Sequence, residues 1–371
     1  MTNKGGGRIA LGLISGTSVD AIEAAVCRVQ GTGRTARLEL LHHHTHPFTA
    51  AQARAIRDAD TAAQLCRLNF TLGAQFAKAA KAAMQRARLP LSKLDVVGSH
   101  GQTIAHQPGA TLQLGEGSVI SEVLGVPVIT DFRVRDVAAG GEGAPLVPYA
   151  DWALFRLEGA RRAFQNIGGI ANVSIVSDRL EDTVAFDTGP GNMLIDALTR
   201  KITRGRQAYD KDGRLAAQGQ VIGQLLESLC RLPPLHRPPP RSFGREQFGD
   251  ALAEALWRKH HQRPLDLLAT VTAFSVEATA RAWEKWVLHG RAIEGVYVSG
   301  GGSRNPLLFD GLRRRLAPIP VKTLDALGFP EGAKEAACFA LLACEHLAGT
   351  PANIPRATGA RHRVVLGKRV P

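Results

Sequence analysis

Residues 9–20 read IALGLISGTSVD, and residues 183–192 read TVAFDTGPGN. In each stretch an apolar run typical of a buried strand ends in glycines, hydroxyl side chains and an aspartate. Such a strand end leaves free backbone N–H groups and hydroxyls at the C-terminal edge of a sheet, where phosphates and polar substrates bind in α/β folds. Two such loops, far apart in the chain, predict a cleft between two half-molecules, with a phosphate donor on one side and a reacting group on the other.

The composition is that of a globular protein. The chain has 371 residues, 44% of them hydrophobic, which suffices for two domains with ordinary cores. No stretch approaches the ~18 consecutive apolar residues of a membrane span, and the N-terminus lacks the apolar core of a signal peptide. The five cysteines are odd in number and never spaced C-x-x-C. This pattern is typical of reduced thiols and predicts a cytoplasmic protein.

The formal charge of +13 raises nucleic-acid binding as a rival function from a different class. The arginines are scattered, however, and the densest cluster is at 313–315. Aromatic residues make up only 5% of the chain, and no stacking platform or recognition motif is present. We therefore expect neither a nucleic acid nor a membrane as partner.

The apolar patterns recur in two halves. Strands are predicted at residues 8–15, 22–30, 36–44, 96–97, 128–130, 163–167, 171–176, 183–186 and 295–299. Helices are predicted at 50–88, 118–124, 193–203, 265–289, 305–316 and 331–347, with an irregular proline-rich loop at 231–242. Three strands, a helix, a strand, a helix and a strand thus occur roughly twice. This order predicts a duplicated α/β unit, with lobes at residues 1–145 and 146–371.

Common phosphate-binding and hydrolase motifs are missing from the sequence. There is no G-x-x-x-x-G-K-[ST], G-x-S-x-G or H-E-x-x-H, and no kinase His-Arg-Asp loop. The glycine-rich loops must therefore work in another scaffold.

Six motifs stand in order along the chain: GTSVD at 16–20, GSHGQT at 98–103, DFRVRDVAAGGEGAPLVP at 131–148, NIGGIAN at 166–172, FDTGPGN at 186–192 and GGGSRNP at 300–306. With them the chain resembles the anhydro-N-acetylmuramic acid kinases from about residue 9 to its C-terminus. The resemblance implies a two-lobed actin/hexokinase-like (ribonuclease H-like) fold and a role in recycling peptidoglycan. Such kinases open the 1,6-anhydro ring of their sugar with water and transfer the γ-phosphoryl group of ATP to the 6-oxygen, with Mg²⁺ as the expected metal.

Three loops are candidates for the nucleotide. The hairpin at 16–20 offers N–H groups and hydroxyls to the β- and γ-phosphates, and Asp20 is placed to act on the Mg²⁺ shell, directly or through water. The hairpin at 166–172 is the second phosphate-facing loop, and the glycines at 300–302 let a purine or ribose lie against bare backbone. For each loop the alternative is an ordinary turn with packing duties only. The nucleotide-binding candidates are Gly16, Thr17, Ser18, Val19, Asp20, Ala21, Ile22, Glu23, Gly168, Gly169, Gly300, Gly301 and Gly302.

Asp187 is the predicted general base, because it ends a buried strand where a carboxylate is partly desolvated. Its alternative role is to cap the turn that follows. Asp131 and Asp136 compete for the role of base, since both follow the strand at 128–130. The sugar-binding candidates are His100, Gln102, Thr103, Arg133 and Asp136, and His100 is either a catalytic histidine or a hydrogen-bonded structural one.

Departures from the family pattern bear on the substrate more than on the kinase chemistry. Ala21 and Glu23 replace a usual Gly and Asp, Glu142 replaces a Gln beside the expected sugar site, and Gly332 occupies a usual Asp position. A kinase for another sugar or polyol, and a non-enzymatic ATP- or nucleic-acid-binding protein, stay open as alternatives, as does a homodimer.

Two further segments have simpler readings. We expect no metal at the histidines of residues 42–46, because neighbours on a strand face opposite ways. Residues 241–246 are expected to form a surface loop, a hinge or a substrate contact.

Overall fold

The structure is a computed structural model that describes residues 6–16, 19–290, 292–330 and 332–371. Its strands are β1 Arg8–Ser15, β2 Ala21–Gln30, β3 Arg37–Pro47, β4 Val96–Gln107, β5 Ala110–Leu114, β6 Val128–Thr130, β7 Arg161–Ile167, β8 Ile170–Val176, β9 Val184–Pro190, β10 Ile293–Ser299, β11 Val321–Thr323 and β12 Lys368–Val370. Its helices are α1 Ala50–Arg57, α2 Ala62–Arg86, α3 Gly117–Leu124, α4 Val134–Ala138, α5 Val147–Phe155, α6 Met193–Ile202, α7 Gly223–Cys230, α8 Arg245–Phe248, α9 Asp250–His260, α10 Pro264–Trp286, α11 Pro306–Arg315, α12 Ala333–Leu347 and α13 Pro355–Thr358. None of the helices in these ranges is long and apolar enough to cross a membrane.

The strands form two sheets with the same core topology. Sheet 1 has the order β12-β6-β4-β1-β2-β3, with β5 paired to β4, and sheet 2 has the order β11-β10-β7-β8-β9. In each sheet three antiparallel strands come first, and the first of them then pairs in parallel with the next strand, β4 in sheet 1 and β10 in sheet 2. A second parallel strand follows in both, β6 and β11. This repeat confirms the predicted duplicated α/β fold.

The chain divides into two compact units: Met1–Leu154 with Phe329–Pro371, and Phe155–Gly328. The sequence placed residues 329–371 in the second lobe, whereas in the structure they belong to the first unit. The reason is helix α12, which lies directly on sheet 1. A Cβ atom added to Gly12 would lie 1.7 Å from the carbonyl oxygen of Ala336, and one added to Gly98 would lie 2.0 Å from that of Phe339.

Two predicted elements have different extents in the structure. The helix expected at 50–88 is interrupted between α1 and α2, because Thr61 caps a new helix through a reciprocal pair of hydrogen bonds with Gln64. The strand expected at 96–97 continues to Gln107, because β5 pairs with its second half. The polar segment at 98–103 is therefore part of a strand.

The second unit is built around helix α10, which packs on β9. A Cβ atom on Gly189 would lie 2.8 Å from the Cβ of Ala278. The buried Trp283 donates its indole N–H to Gln165 of β7 at 2.9 Å. The core of the second unit is one cluster of buried apolar side chains from sheet 2 and helices α6 to α11.

Candidate active site

The first glycine loop leaves the C-terminal end of β1 and is held by a buried glutamine. Gln102 is fully buried; its amide donates to the carbonyl oxygen of Gly16 at 3.2 Å, and its oxygen accepts the hydroxyl of Ser15 at 2.6 Å. The prediction that Gln102 contacts the sugar is therefore corrected, because its polar atoms already bind the loop. Gln102 thus holds Ser15 and Gly16, where the loop begins. The predicted Thr17 and Ser18 lie outside the described residues.

The loop closes at Val19, whose N–H donates to the carbonyl of Gly16 at 3.1 Å. The side chains of Val19 and Ile22 are buried in the core of the first unit, so a nucleotide would meet only their backbone. Asp20 is exposed, and its Oδ1 accepts the N–H of Ala21 at 2.9 Å. Of these residues, Asp20 alone presents a side chain suited to a metal-bound phosphate.

Glu23, a predicted nucleotide residue, is bound to the neighbouring strand. Its Oε2 lies 2.6 Å from Nε2 of His43 and accepts the hydroxyl of Thr45 at 2.8 Å. A Cβ atom on Gly332 would lie 3.5 Å from the Glu23 carboxyl group. Two departures from the family pattern are thus neighbours: Glu23, which is longer than the usual Asp, faces Gly332, which lacks the side chain of the usual Asp. On the opposite face of β3 the buried His44 is hydrogen-bonded to Arg86, and no group of three or more metal-binding side chains occurs among the described residues.

Arg133 and His100 form a polar pair at the same edge of sheet 1. Arg133 Nε donates to His100 Nε2 at 2.9 Å, and Arg133 Nη1 donates to the carbonyl of Gly143 at 2.8 Å. Burial lowers the pKa of the Arg133 guanidinium to about 10, against the raising effect of Glu335, so it stays charged at neutral pH. Thr103 is half-buried and pairs with Gln113 in the β4–β5 ladder.

Asp136 has a structural role. It is fully buried, and its carboxylate accepts the N–H of Gly143 at 2.8 Å, the amide of Asn353 at 2.7 Å and the hydroxyl of Thr358 at 2.8 Å. Three internal donors fill most of the acceptor capacity of this buried carboxylate, which leaves little for a sugar or a water. The predictions that Asp136 binds the sugar or competes as base are therefore corrected. It fixes Gly143, whose carbonyl fixes Arg133.

Asp187 lies near the end of β9, opposite Asn172 in the β8–β9 ladder. Its side chain is half-buried, and its Oδ2 accepts the N–H of Phe243 at 2.7 Å. Its backbone N–H donates to the carbonyl of Arg241 at 3.1 Å. The segment at 241–243 thus runs along β9 and orients the carboxylate.

Arg241 is a residue that sequence reasoning missed, since its segment was expected to form a surface loop, hinge or substrate contact. It is only 4% exposed, and burial lowers the pKa of its guanidinium to about 10 while Asp187 opposes the shift. Its N–H groups donate to four backbone carbonyls, those of Asp187, Thr188, Leu235 and Arg237. The guanidinium also lies over the ring of Phe243, with 5.2 Å to the centroid. Phe243, two residues after Arg241, was the one sequence signal that this loop turns inward.

The second phosphate-loop candidate is tied to the start of α6. The N–H of Asn192 donates to the carbonyl of Gly168 at 2.8 Å, and the N–H groups of Gly191 and Met193 donate to that of Gly169 at 2.9 and 3.1 Å. Gly169 is exposed and Gly168 half-buried. The hairpin therefore has a fixed shape, with its backbone within reach of solvent.

The three glycines after β10 have different surroundings. Gly300 adopts a φ of +83°, and a Cβ there would lie 2.5 Å from Asn166 Oδ1; a Cβ on Gly302 would lie 2.3 Å from Ile167 Cγ2. At Gly301 the nearest atom would be 4.0 Å away. Asn305 caps the helix that follows: its side chain accepts the N–H of Leu307, and Pro306 begins α11. Gly300 and Gly302 thus serve packing, whereas Gly301 presents open backbone.

A further acid was missed on the first turn of α12, a helix that the sequence assigned to the other lobe. The surface of Glu335 is open to solvent, yet the surrounding protein raises the pKa of its carboxyl group by desolvation, against the lowering effects of Lys334 and Arg133. Next to it, Lys334 pairs with the buried Asp151 at 2.9 Å. Of the candidate residues, Gly16, Asp20, His100, Arg133 and Glu335 thus belong to the first unit, and Asp187, the hairpin at 168–169 and the glycines at 300–302 belong to the second.

Comparison with known proteins gives the same family as the motifs. The family model described as anhydro-N-acetylmuramic acid kinase matches residues 8–371. The chain is 41% identical to the anhydro-N-acetylmuramic acid kinase of Caldanaerobacter subterraneus subsp. tengcongensis, covering 97% of this chain and 96% of the relative. It is likewise 41% identical to that of a Bacillus cereus strain, covering 96% of this chain and 97% of the relative. The chain belongs to the anhydro-N-acetylmuramic acid kinase family.

Proposed function

We propose that this chain is an ATP-dependent kinase that hydrolytically opens 1,6-anhydro-N-acetylmuramic acid and phosphorylates its 6-oxygen, in peptidoglycan recycling. The product is N-acetylmuramic acid 6-phosphate, with ADP. The match of the family model to residues 8–371 carries the proposal. Such a reaction requires backbone groups that bind phosphates and a carboxylate that acts as base. The glycine loops at the sheet edges and the oriented Asp187 could supply them.

Asp187 is the proposed general base. It removes a proton from a water molecule, whose oxygen forms the new bond to the anomeric carbon C1 as the bond from C1 to the bridging 6-oxygen breaks. The electron pair released to the 6-oxygen attacks the γ-phosphorus of ATP, and ADP leaves. The N–H of Phe243 holds Oδ2 of Asp187 at 2.7 Å, which fixes the carboxylate before the water arrives.

The loop at Gly16, the hairpin at 168–169 and the backbone of Gly301 are the proposed nucleotide contacts. The exposed carboxylate of Asp20 suits Mg²⁺, which in proteins prefers one or two carboxylates together with substrate phosphates. Mg²⁺ bound there would neutralise charge on the β- and γ-phosphates. Gln102 holds the carbonyl of Gly16 at 3.2 Å and keeps this loop in shape.

Arg133 is the proposed contact for the acidic part of the sugar. The lactyl group of a muramic acid carries a carboxylate, and a guanidinium is well suited to pair with it. Glu142 is exposed close to this region, next to Gly143. Its negative charge favours a substrate whose carboxylate lies on the Arg133 side, away from Glu142.

ADP release in a coupled assay tests this function. Release that depends on 1,6-anhydro-N-acetylmuramic acid supports it. Release only with an unbridged hexose or polyol points to another kinase specificity. No sugar-dependent release, together with salt-sensitive binding of DNA or RNA, would replace the kinase by a binding protein.

Three finer points belong to the proposal. We place the protein in the cytoplasm, in keeping with five cysteines that are free, four of them buried. We propose that it has no nucleic-acid partner, since its substrates are a small sugar and ATP. A homodimer stays a prediction, and light scattering coupled to size-exclusion chromatography decides it.

A further inference from the structure

Two of the three nitrogens of the Arg133 guanidinium are held by acceptors within the protein. Nε donates to His100 and Nη1 donates to the carbonyl of Gly143. Among the described residues, Nη2 has no hydrogen-bond acceptor. A guanidinium has five N–H donors in a rigid plane, so fixing two of its nitrogens also fixes the direction in which the third points.

The hydrogen bonds of His100 determine which of its nitrogens carries the proton. Nδ1 lies 3.1 Å from the carbonyl oxygen of Gly101, which can only accept. Nδ1 must therefore carry the hydrogen, and the neutral ring has its lone pair on Nε2. Arg133 Nε–H lies 2.9 Å from that lone pair. The ring is 4% exposed and packs 4.7 Å from the ring of Phe339, so it has little room to turn.

We propose that His100 is a positioning residue for the sugar: in its neutral Nδ1–H form it fixes Arg133 so that the Nη2 edge meets the acidic group of the acceptor. The inference rests on the proposed function, and it assigns His100 neither a proton transfer nor a sugar contact. The opposite side of the clamp is Gly143, which the buried Asp136 holds at 2.8 Å. Both hydrogen bonds, to His100 and to Gly143, are needed, because the guanidinium plane could rotate about a single one.

The charged groups around the ring favour this neutral form. Burial holds the pKa of His100 well below its usual value, and Arg133 and then His106 of the same strand lower it further, while the carbonyl of Gly101 acts against the shift. The pKa of Arg133 itself, which burial lowers, is raised by Glu335 and Cys338 of α12 and then by Asp136 of α4. Protonation of His100 would remove the lone pair and place a second positive charge beside Arg133. The clamp is therefore intact at neutral pH and is lost only as the pH falls well below 6.5.

Steady-state kinetics of two substitutions test the proposal. His100→Leu fills the space without an acceptor, and His100→Gln keeps a carbonyl acceptor. For His100→Leu we expect the KM for the sugar to rise about 10- to 100-fold, the effect of a misdirected substrate-binding group. Its kcat at saturating sugar and its KM for ATP should stay within about threefold, as expected when ground-state and transition-state binding are lost equally. His100→Gln should recover most of the sugar KM.

His106→Leu is the matched control, since His106 lies on the same strand, is exposed and is bonded to Thr111. A sugar KM for folded His100→Leu within about twofold of wild type would overturn the proposal. So would a His100→Gln variant no better than His100→Leu.

Nitrogen NMR of the wild-type protein gives a reading that needs no turnover. We expect His100 to show a protonated Nδ1 and an unprotonated Nε2 coupled to Arg133 Nε–H, and a protonated Nε2 at neutral pH would overturn the proposal. A wild-type protein that gives no ADP with the anhydro sugar instead defeats the proposed function, whichever His100 form NMR reports.

Discussion

Arg241 and Asp187 are joined twice: the backbone N–H of Asp187 donates to the carbonyl of Arg241 at 3.1 Å, and Arg241 Nε donates to the carbonyl of Asp187 at 2.7 Å. The two residues lie 54 positions apart in the chain. The predicted base is thus held by a proline-rich loop that crosses from elsewhere in the second unit. Its orientation depends on the stability of that loop.

Asp187→Asn keeps the shape of the side chain and removes the base. We expect kcat to fall by ~10²–10⁴, the usual contribution of general-base catalysis, which is about 3–5 kcal/mol of barrier. ATP affinity should change little, because the proposed phosphate contacts are the glycine loops and not Asp187. In ¹⁸O-labelled water the label should appear on C1 of the product and never in the transferred phosphate. Asp182→Asn, at an exposed position before β9, is the control, and near-normal turnover of Asp187→Asn would remove Asp187 as base.

Asp136→Asn should act on stability first. The amide would turn an NH₂ group toward donors from Gly143, Asn353 or Thr358. Leaving a buried donor without its acceptor costs about 1–3 kcal/mol, so urea unfolding should show a lower free energy. Asp131→Asn breaks only the ion pair with Lys368 on the surface and should change it by less than about 0.5 kcal/mol. Full stability of Asp136→Asn with abolished turnover would restore Asp136 as a candidate base.

Arg241→Ala leaves four backbone carbonyls without their donor. We expect a loss of about 2–4 kcal/mol in the free energy of unfolding and faster proteolytic cutting within residues 231–242. Arg241→Lys keeps the charge but not the planar set of donors, so its free energy of unfolding should lie between those of Arg241→Ala and the wild type. Arg237→Ala, at an exposed position in the same loop, should match wild type. Equal proteolysis of all three variants and the wild type would show that Arg241 does not hold the loop.

Gly301→Ala and Gly302→Ala separate nucleotide binding from packing. Gly302→Ala should lower the melting temperature, since its Cβ would lie 2.3 Å from Ile167 Cγ2. Gly301→Ala meets no close neighbour and should fold normally. If ATP lies against this backbone, Gly301→Ala raises the KM for ATP and leaves the sugar KM unchanged. An unchanged ATP KM in Gly301→Ala would assign all three glycines to the turn itself.

Asp196 makes stability depend on pH. Desolvation raises the pKa of its carboxyl group from 3.8 to about 6, with Arg200 opposing and Asp210 adding to the shift. The folded state therefore holds a proton that the unfolded state has lost. The contribution of Asp196 is fully present below about pH 4 and is lost as the pH rises through 6.

Asp196→Asn should consequently stabilise the protein at pH 7.5 by on the order of 2 kcal/mol relative to its effect at pH 4.5. Urea unfolding of both proteins at the two pH values measures the difference, in which other titrating groups cancel. The same gain at both pH values would show that Asp196 does not titrate in this range.

The sequence predicts the long elements well because their signal is local. The apolar runs of β1, β2, β7 and β8 and the capped start of α11 are each contained in a few neighbouring residues. The three short strands β5, β11 and β12 were missed, since they have three to five residues and owe their structure to a partner strand. Helices α7 to α9 were also missed; they flank the proline-rich loop at 231–242 and have only four to eleven residues.

For the candidate site, the sequence predicts the loops but not the hydrogen-bond partners of their polar residues. Gln102 and Asp136 are polar residues in the right motifs, and only the structure shows that buried partners occupy them. Asn353 and Thr358 lie 217 and 222 positions from Asp136, so no local pattern links them. The same holds for His100 and Arg133, whose pairing depends on the register of β4 with the loop after β6.

The path of the chain has a consequence for biosynthesis. Residues 155–328 form a continuous unit inserted within a discontinuous one. A ribosome releases all of the inserted unit before it releases α12, whose backbone touches sheet 1 at Gly12 and Gly98. During that interval one face of sheet 1 has no covering helix, so the nascent first unit exposes apolar surface while the second can already fold. The unit begun first is thus the last to complete its core, and its apolar surface stays exposed until late in synthesis.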